Sequence, residues 1–272
     1  MTHADDVQHS GARESGTCDW APAWVKPFEP ASRASSGGAA LSATDVHVWR
    51  SWLDQTPCRL RQLAQVLSAD EQERADRFHY ERDRTRYIVG RGVLRWILGR
   101  YLDTEPGRVQ FVYGLHGKPC LREDTGPAAI RFNLAHSHQL AVYVIARTRE
   151  VGIDLEYMRP VPDLQQIATS AFSAREVAML SGLPPGQQRE AFYLCWTSKE
   201  AYVKAKGLGV AQPLTQFDVS LVPGKPARLL RVEGDPEETT RWSLRWLRPA
   251  PGYVAALAVE GHDWQLTCHD AR

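Results

Sequence analysis

From Asp45 onward, the apolar and polar positions fall into two successive runs of the same kind. The first opens on VHVWRSWL, a short strand pattern, and reaches a Ser-x-x-Glu signature at Ser68-Ala69-Asp70-Glu71, the mark of a capped helix start. A helical period then continues through TRYIVGRGVLRWILGRYL. The second run repeats this order with the strand pattern VGIDLEYM, the signature Ser173-Ala174-Arg175-Glu176, and the long helix REAFYLCWTSKEAYVKAKG, stopped by Gly207. Each run closes in strands: RVQFVYG, AIRFNLA and LAVYVIA in the first, then QFDVSLV, ARLLRV, WSLRWLR and YVAALAV in the second. The pattern predicts an α+β fold of two similar halves, residues 43–150 and 151–272, packed side by side about a pseudo-twofold axis. A cleft between such halves is a favoured ligand site.

Residues 1–42 carry no sustained period and are rich in Ser, Gly, Ala and Pro, as in ASRASSGGAALSA; they read as a flexible extension outside the fold. A chain of 272 residues with 43% hydrophobic content has enough material for a substantial core without staples. No apolar run nears the ~20 residues of a membrane span, and the opening MTHADDVQHS lacks the apolar stretch of a secretory signal, so a cytoplasmic location is expected. Cys18, Cys58, Cys120, Cys195 and Cys268 are widely spread with no CxxC pair, which predicts reduced thiols rather than a disulfide framework or zinc site. A net charge of +1 gives no global field for nucleic acid or an anionic membrane, so neither is expected as a partner.

Candidate chemistry concentrates in five segments. In Gly152-Ile153-Asp154-Leu155-Glu156, strand alternation sends Ile153 and Leu155 to a buried face and puts Asp154 and Glu156 together on the other. Two like charges there repel unless a cation sits between them, and oxygen ligands of this kind suit Mg²⁺; a solvated strand end is the plainer alternative. Trp196, Glu200 and Lys204 recur at helical spacing, which is either an ordinary surface ion pair or, packed against that strand, a third carboxylate with an ammonium for phosphate. Arg131-Phe132-Asn133-Leu134-Ala135-His136-Ser137 ends a strand candidate, so a loop there is expected to present His136 and Ser137. Gly117-Lys118-Pro119 is a turn signal, and Arg74 and Arg86 stand in a mixed-charge helical stretch. A transferase, a Mg²⁺-dependent hydrolase of a pyrophosphate and a non-catalytic binder all remain compatible with these residue types alone.

In this order, over roughly residues 67–220, the segments resemble the Sfp-type 4'-phosphopantetheinyl transferases, most specifically in G-I-D-L-E and W-x-x-K-E-A-x-x-K. The resemblance implies Mg²⁺-dependent transfer of the phosphopantetheine arm of coenzyme A to a serine of an acyl or peptidyl carrier protein, leaving adenosine 3',5'-bisphosphate. It implies Asp154, Glu156 and Glu200 as metal ligands, Glu200 also as base, and Lys204 against the departing phosphate. Arg86 and His136 would grip the 3'-phosphate with Ser137 beside them, Gly117, Lys118 and Pro119 would border the adenine, and Arg74 matches a basic family position. The first half would hold the nucleotide, the second the metal and catalytic residues, and one chain would carry the whole site as a monomer. Two departures stand out: Ala135 replaces a common Ser, and Glu71 replaces a basic residue, an acid tolerable near phosphate only if it turns away to cap its helix with Ser68.

Overall fold

The computed structural model describes residues 41–122, 130–207, 209 and 212–271. The first half runs β1 (Asp45–Trp52), α1 (Pro57–Ala64), α2 (Ala69–Asp76), α3 (Glu81–Leu102), β2 (Phe111–Tyr113), β3 (Pro119–Leu121), β4 (Ile130–Ser137) and β5 (Leu140–Arg147). The second runs β6 (Val151–Tyr157), α4 (Leu164–Ala171), α5 (Ala174–Ser181), α6 (Pro185–Lys206), β7 (Phe217–Val219), β8 (Leu229–Val232), α7 (Glu238–Arg241), β9 (Trp242–Leu247), β10 (Tyr253–Glu260) and β11 (Gln265–Asp270). The long helices and most of the strands lie where the periodicity puts them. Residues 1–40 of the expected extension lie outside the described residues, and Leu41 already packs into the core.

Strand alternation builds the layers. On β5, Ala141, Tyr143 and Ile145 meet Val89, Val93 and Ile97 of α3, while Leu140, Val142 and Val144 turn the other way, toward Val151, Ile153 and Leu155 of β6. On β10, Val254, Ala256 and Ala258 meet α6, and Ala255, Leu257 and Val259 join the core between the sheets. The result is helix, sheet, sheet, helix. The two sheets share an order, β1-β5-β4 in the first half and β6-β10-β9 in the second. Both α3 and α6 are 22 residues long.

The repeat is broken at the end of the chain. β11 returns to the first half and pairs parallel to β1, from Asp45 opposite Gln265 to Arg50 opposite Asp270, covering an edge that would otherwise expose its backbone groups. Its pattern, QLTCHD, carries too little apolar alternation to stand out as a strand. One expectation about the thiols is corrected here: Cys58, Cys120 and Cys195 are free, but Cys268 on β11 is disulfide-bonded. Pairing depends on Cα separation in the fold, which the spread of cysteines along the sequence does not disclose.

Candidate active site

Because Val151, Ile153 and Leu155 enter the inter-sheet core, the intervening Gly152, Asp154 and Glu156 turn toward α6. Gly152 lets the helix close on the strand: a Cβ there would sit 2.1 Å from the Ala201 carbonyl oxygen and 2.3 Å from the Ala205 nitrogen. Backbone therefore rests on backbone, and Glu200 and Lys204, each one residue before a contact point, are brought to the strand's carboxylates. Lys204 Nζ donates to Asp154 Oδ1 at 2.6 Å. Asp154 is only 7% exposed, and its Oδ2 has no hydrogen-bond partner. The solvated-strand-end alternative does not describe this residue.

The electrostatics follow from burial. Desolvation pushes the Asp154 carboxyl above its ordinary value even though Lys204 pulls it down. Glu200 is raised by burial and then by the neighbouring Asp154, with Glu156 adding to it, and Glu156 is raised by burial with Asp154 contributing. Three carboxylates raised by burial, two of them raised further by the charge of Asp154, form a site whose charge is relieved by a cation or a proton. The donors are hard oxygens, and the orphaned Oδ2 is an atom that a cation would satisfy, so the residues fit Mg²⁺. Among the described residues, no three or more His, Cys, Asp or Glu side chains are arranged to hold an ion by themselves. Asp154 is engaged by Lys204, and Glu156 Oε2 accepts from Ser137 Oγ at 2.8 Å. Magnesium usually takes only one or two protein carboxylates and completes its octahedron with water and phosphate, so a site finished by substrate is consistent with this arrangement.

Next to these acids lies a cleft of ≈ 810 Å³, which gathers Arg74 from α2, Arg86 from α3, Gly117 and Pro119 from the β2–β3 hairpin, His136 and Ser137 from β4, and Glu156. Asp154, Glu200 and Lys204 are not on its wall; Glu156 connects the two regions. Arg74 lies over the Tyr87 ring, 5.5 Å from its centroid. Arg86 is bound to Asp54 at 3.1 and 3.4 Å, so an arriving phosphate would have to compete with that carboxylate. Protein packing around His136, together with Lys204 and Arg86, holds its pKa below the ordinary histidine value.

Three expectations need correction or refinement. His136 and Ser137 are strand residues, not loop residues: β4 continues to Ser137 before a tight turn into β5, and their ladder with Ala141 and Leu140 keeps the segment extended. The Ser137 hydroxyl is also committed, accepting from Tyr157 N at 3.1 Å while donating to Glu156. The Lys118 ammonium does not reach the cleft; it binds the Ala205 carbonyl at the end of α6 (2.9 Å) and Glu150 (3.2 Å). Carbonyls at a helix C-terminus draw cations, and a turn signal says nothing about which way its side chain swings. Glu71 does turn away: it accepts from Ser68 N at 3.1 Å and binds Arg91 and Arg95 while 1% exposed.

The sequence reading missed Arg91, Tyr113 and Arg159 on the cleft wall. Arg91 Nη2 donates to the Tyr113 hydroxyl at 2.8 Å, tying α3 to the hairpin. None of these stands in a distinctive local pattern. Gly152 was missed in its structural role, although a glycine inside a strand pattern is itself a signal of close backbone approach.

A wall of arginines and histidine leading to clustered carboxylates defines an enzyme cleft for a phosphorylated substrate. Residues 150–258 match the 4'-phosphopantetheinyl transferase superfamily, and residues 50–149 match the 4'-phosphopantetheinyl transferase N-terminal family. The chain is 44% identical over 225 residues to the 4'-phosphopantetheinyl transferase HetI of Nostoc sp., covering 83% of this chain and 92% of that one. It is 28% identical over 203 residues to the 4'-phosphopantetheinyl transferase ffp of Bacillus subtilis (74% and 86% covered) and 29% over 155 residues to Sfp of Bacillus subtilis strain 168 (57% and 66%). The chain belongs to the 4'-phosphopantetheinyl transferase superfamily.

Proposed function

We propose that this chain transfers the 4'-phosphopantetheine arm of coenzyme A to a serine of an acyl or peptidyl carrier protein, with Mg²⁺ as cofactor and adenosine 3',5'-bisphosphate as the leaving group. The observation that carries the reading is the clustering of buried Asp154, whose Oδ2 is unpartnered, with the half-buried Glu156 and Glu200 at the end of a basic cleft.

In this reading, Arg74, Arg86 and His136 bind the 3'-phosphate end of the nucleotide, and Gly117 and Pro119 border its base. Ser137 holds Glu156 in place rather than binding phosphate directly. Asp154, Glu156 and Glu200 would hold Mg²⁺, which when bound would supply charge neutralisation for the pyrophosphate. The carrier serine Oγ attacks the phosphorus that bears pantetheine, its proton passes to Glu200, and the P–O bond to adenosine 3',5'-bisphosphate breaks. Lys204 moves its ammonium from Asp154 to the leaving phosphate as charge develops there. No enzyme nucleophile is needed, because positioning and charge neutralisation are the main requirements of phosphoryl chemistry. The first half, residues 43–150, serves as the nucleotide grip, and residues 151–272 supply metal ligands and catalysis. The chain is taken to act as a cytoplasmic monomer, since one chain carries the whole of the proposed site.

Intact-protein mass spectrometry of an apo carrier protein incubated with the enzyme, coenzyme A and Mg²⁺ tests this. One added phosphopantetheine arm, lost with EDTA, is the expected result. Coenzyme A binding with no mass shift on any of several carriers would overturn it.

A further inference from the structure

β4 and β6 are edge strands of different sheets and run alongside each other in the same direction. They do not share a backbone ladder. Two side chains of β4 take its place: Asn133 Oδ1 accepts from Ile153 N at 3.1 Å, and Ser137 Oγ accepts from Tyr157 N at 3.1 Å, both across an offset of 20 residues. Between these rungs the Leu155 N–H is turned to the Asp154 carboxylate, which helps hold that group down against its burial. The amides of Ile153, Leu155 and Tyr157 are thus met by side chains, and the segment they fix is the one that bears Asp154 and Glu156. Ser137 also bonds Glu156 directly. The Asn133 amide oxygen accepts from backbone and not from either acid. It is 5% exposed, lies off the cleft wall, and its amide oxygen is the anchor for the residue just before Asp154.

We propose that Asn133 is a positioning residue for the carboxylate site: its side-chain rung sets how far β6 stands from β4 and so the aim of Asp154 at the cation. The proposal rests on the metal reading given above. A purely structural asparagine would, when replaced, lower stability and leave cation affinity alone. A positioning asparagine lowers cation affinity as well, because an outer residue that orients a ligand typically contributes about 10- to 100-fold to metal binding. The nucleotide grip comes from Arg74 on α2, Arg86 on α3 and His136 on β4, and His136 is held by the backbone ladder of β4 with β5 rather than by the Asn133 side chain, so the grip is unaffected.

The test is direct Mn²⁺ titration, by electron paramagnetic resonance, of the full chain and of Asn133→Ala, Asn133→Ser and Asp154→Asn, together with coenzyme A affinity measured in EDTA. Asn133→Ser keeps a small hydroxyl acceptor and covers the case in which the alanine variant does not fold. The expected result is Mn²⁺ affinity weakened about tenfold or more in Asn133→Ala and less in Asn133→Ser, with coenzyme A affinity in EDTA within about twofold of wild type. Loss of Mn²⁺ binding in Asp154→Asn alone, with both Asn133 variants at wild-type affinity, overturns the positioning role and spares the metal reading. Wild-type Mn²⁺ binding in Asp154→Asn overturns the metal reading itself.

Discussion

The two halves use one scaffold, and besides the β11 edge they diverge along their matching long helices. In the first, the capping-box Glu71 reaches from α2 to Arg95 on α3 at 2.6 Å; in the second, the capping-box Glu176 reaches from α5 to Lys199 on α6 at 2.8 Å. Arg95 and Lys199 stand at the same position, fourteen residues after the first of their helices. Both pairs are closed: Arg95 also binds the Pro106 and Val109 carbonyls, and Lys199 the Leu214 and Phe217 carbonyls. Five residues further along each helix the halves part. Arg100 lies over the Trp49 ring at 5.6 Å on the first half's strand, whereas Lys204 meets Asp154, whose second oxygen has no partner. The ion pair present in both halves is scaffold, and the site is where, at matching positions of the two long helices, only the second half's basic residue meets a buried carboxylate that is incompletely bonded.

The largest effect that separates these roles is on transfer. Asp154→Ala or Glu200→Ala should reduce kcat/KM about 10³-fold or more while the far-ultraviolet circular dichroism stays native; wild-type rates in either variant would remove the metal assignment. Next comes stability. Lys199→Met leaves Glu176 buried without its cation and should lower the unfolding free energy by about 3–5 kcal/mol in urea titration, with Arg95→Met behaving alike in the other half. If Lys199→Met instead lost activity with full stability, the scaffold reading of that pair would fail. Lys204→Ala should then lower kcat about 10²-fold with little change in KM for coenzyme A, and a change confined to KM would reassign the lysine to binding.

The smallest effect is on pH dependence. Asp154, Glu156 and Glu200 have folded-state pKa values raised from their ordinary values, chiefly by burial. Stability from such groups is present below the unfolded pKa, near 4, and lost as pH rises through the folded values. Without metal, Tm should fall over that window in wild type and fall less in Glu200→Gln. Each ~1 kcal/mol so linked corresponds to roughly 2–4 °C. Mg²⁺ should restore Tm on the alkaline side of the window only; an equal Mg²⁺ effect in Asp154→Asn would detach the cation from these acids.

Much of this was legible in the sequence because it depends on local period. Alternation in Val151–Tyr157 placed Asp154 and Glu156 on one face, and the Ser-x-x-Glu signatures located both helix starts. What escaped was set by tertiary contact. Lys118 swings to the end of α6, Ser137 is taken by Glu156, and Arg86 is held by Asp54, partners far enough along the chain that spacing could not reveal them. β11 was hidden because an edge strand over β1 needs little apolar content.

The most direct test of the comparison is the unfolding free energy of Asp154→Asn in EDTA, measured beside Lys199→Met. The account predicts that Asp154→Asn is as stable as wild type or more so, because it removes a buried charge with an unpartnered oxygen and leaves behind a lysine that is already 31% exposed. A loss as large as that of Lys199→Met would show that the Asp154–Lys204 pair holds the fold, and would contradict its place as the open site.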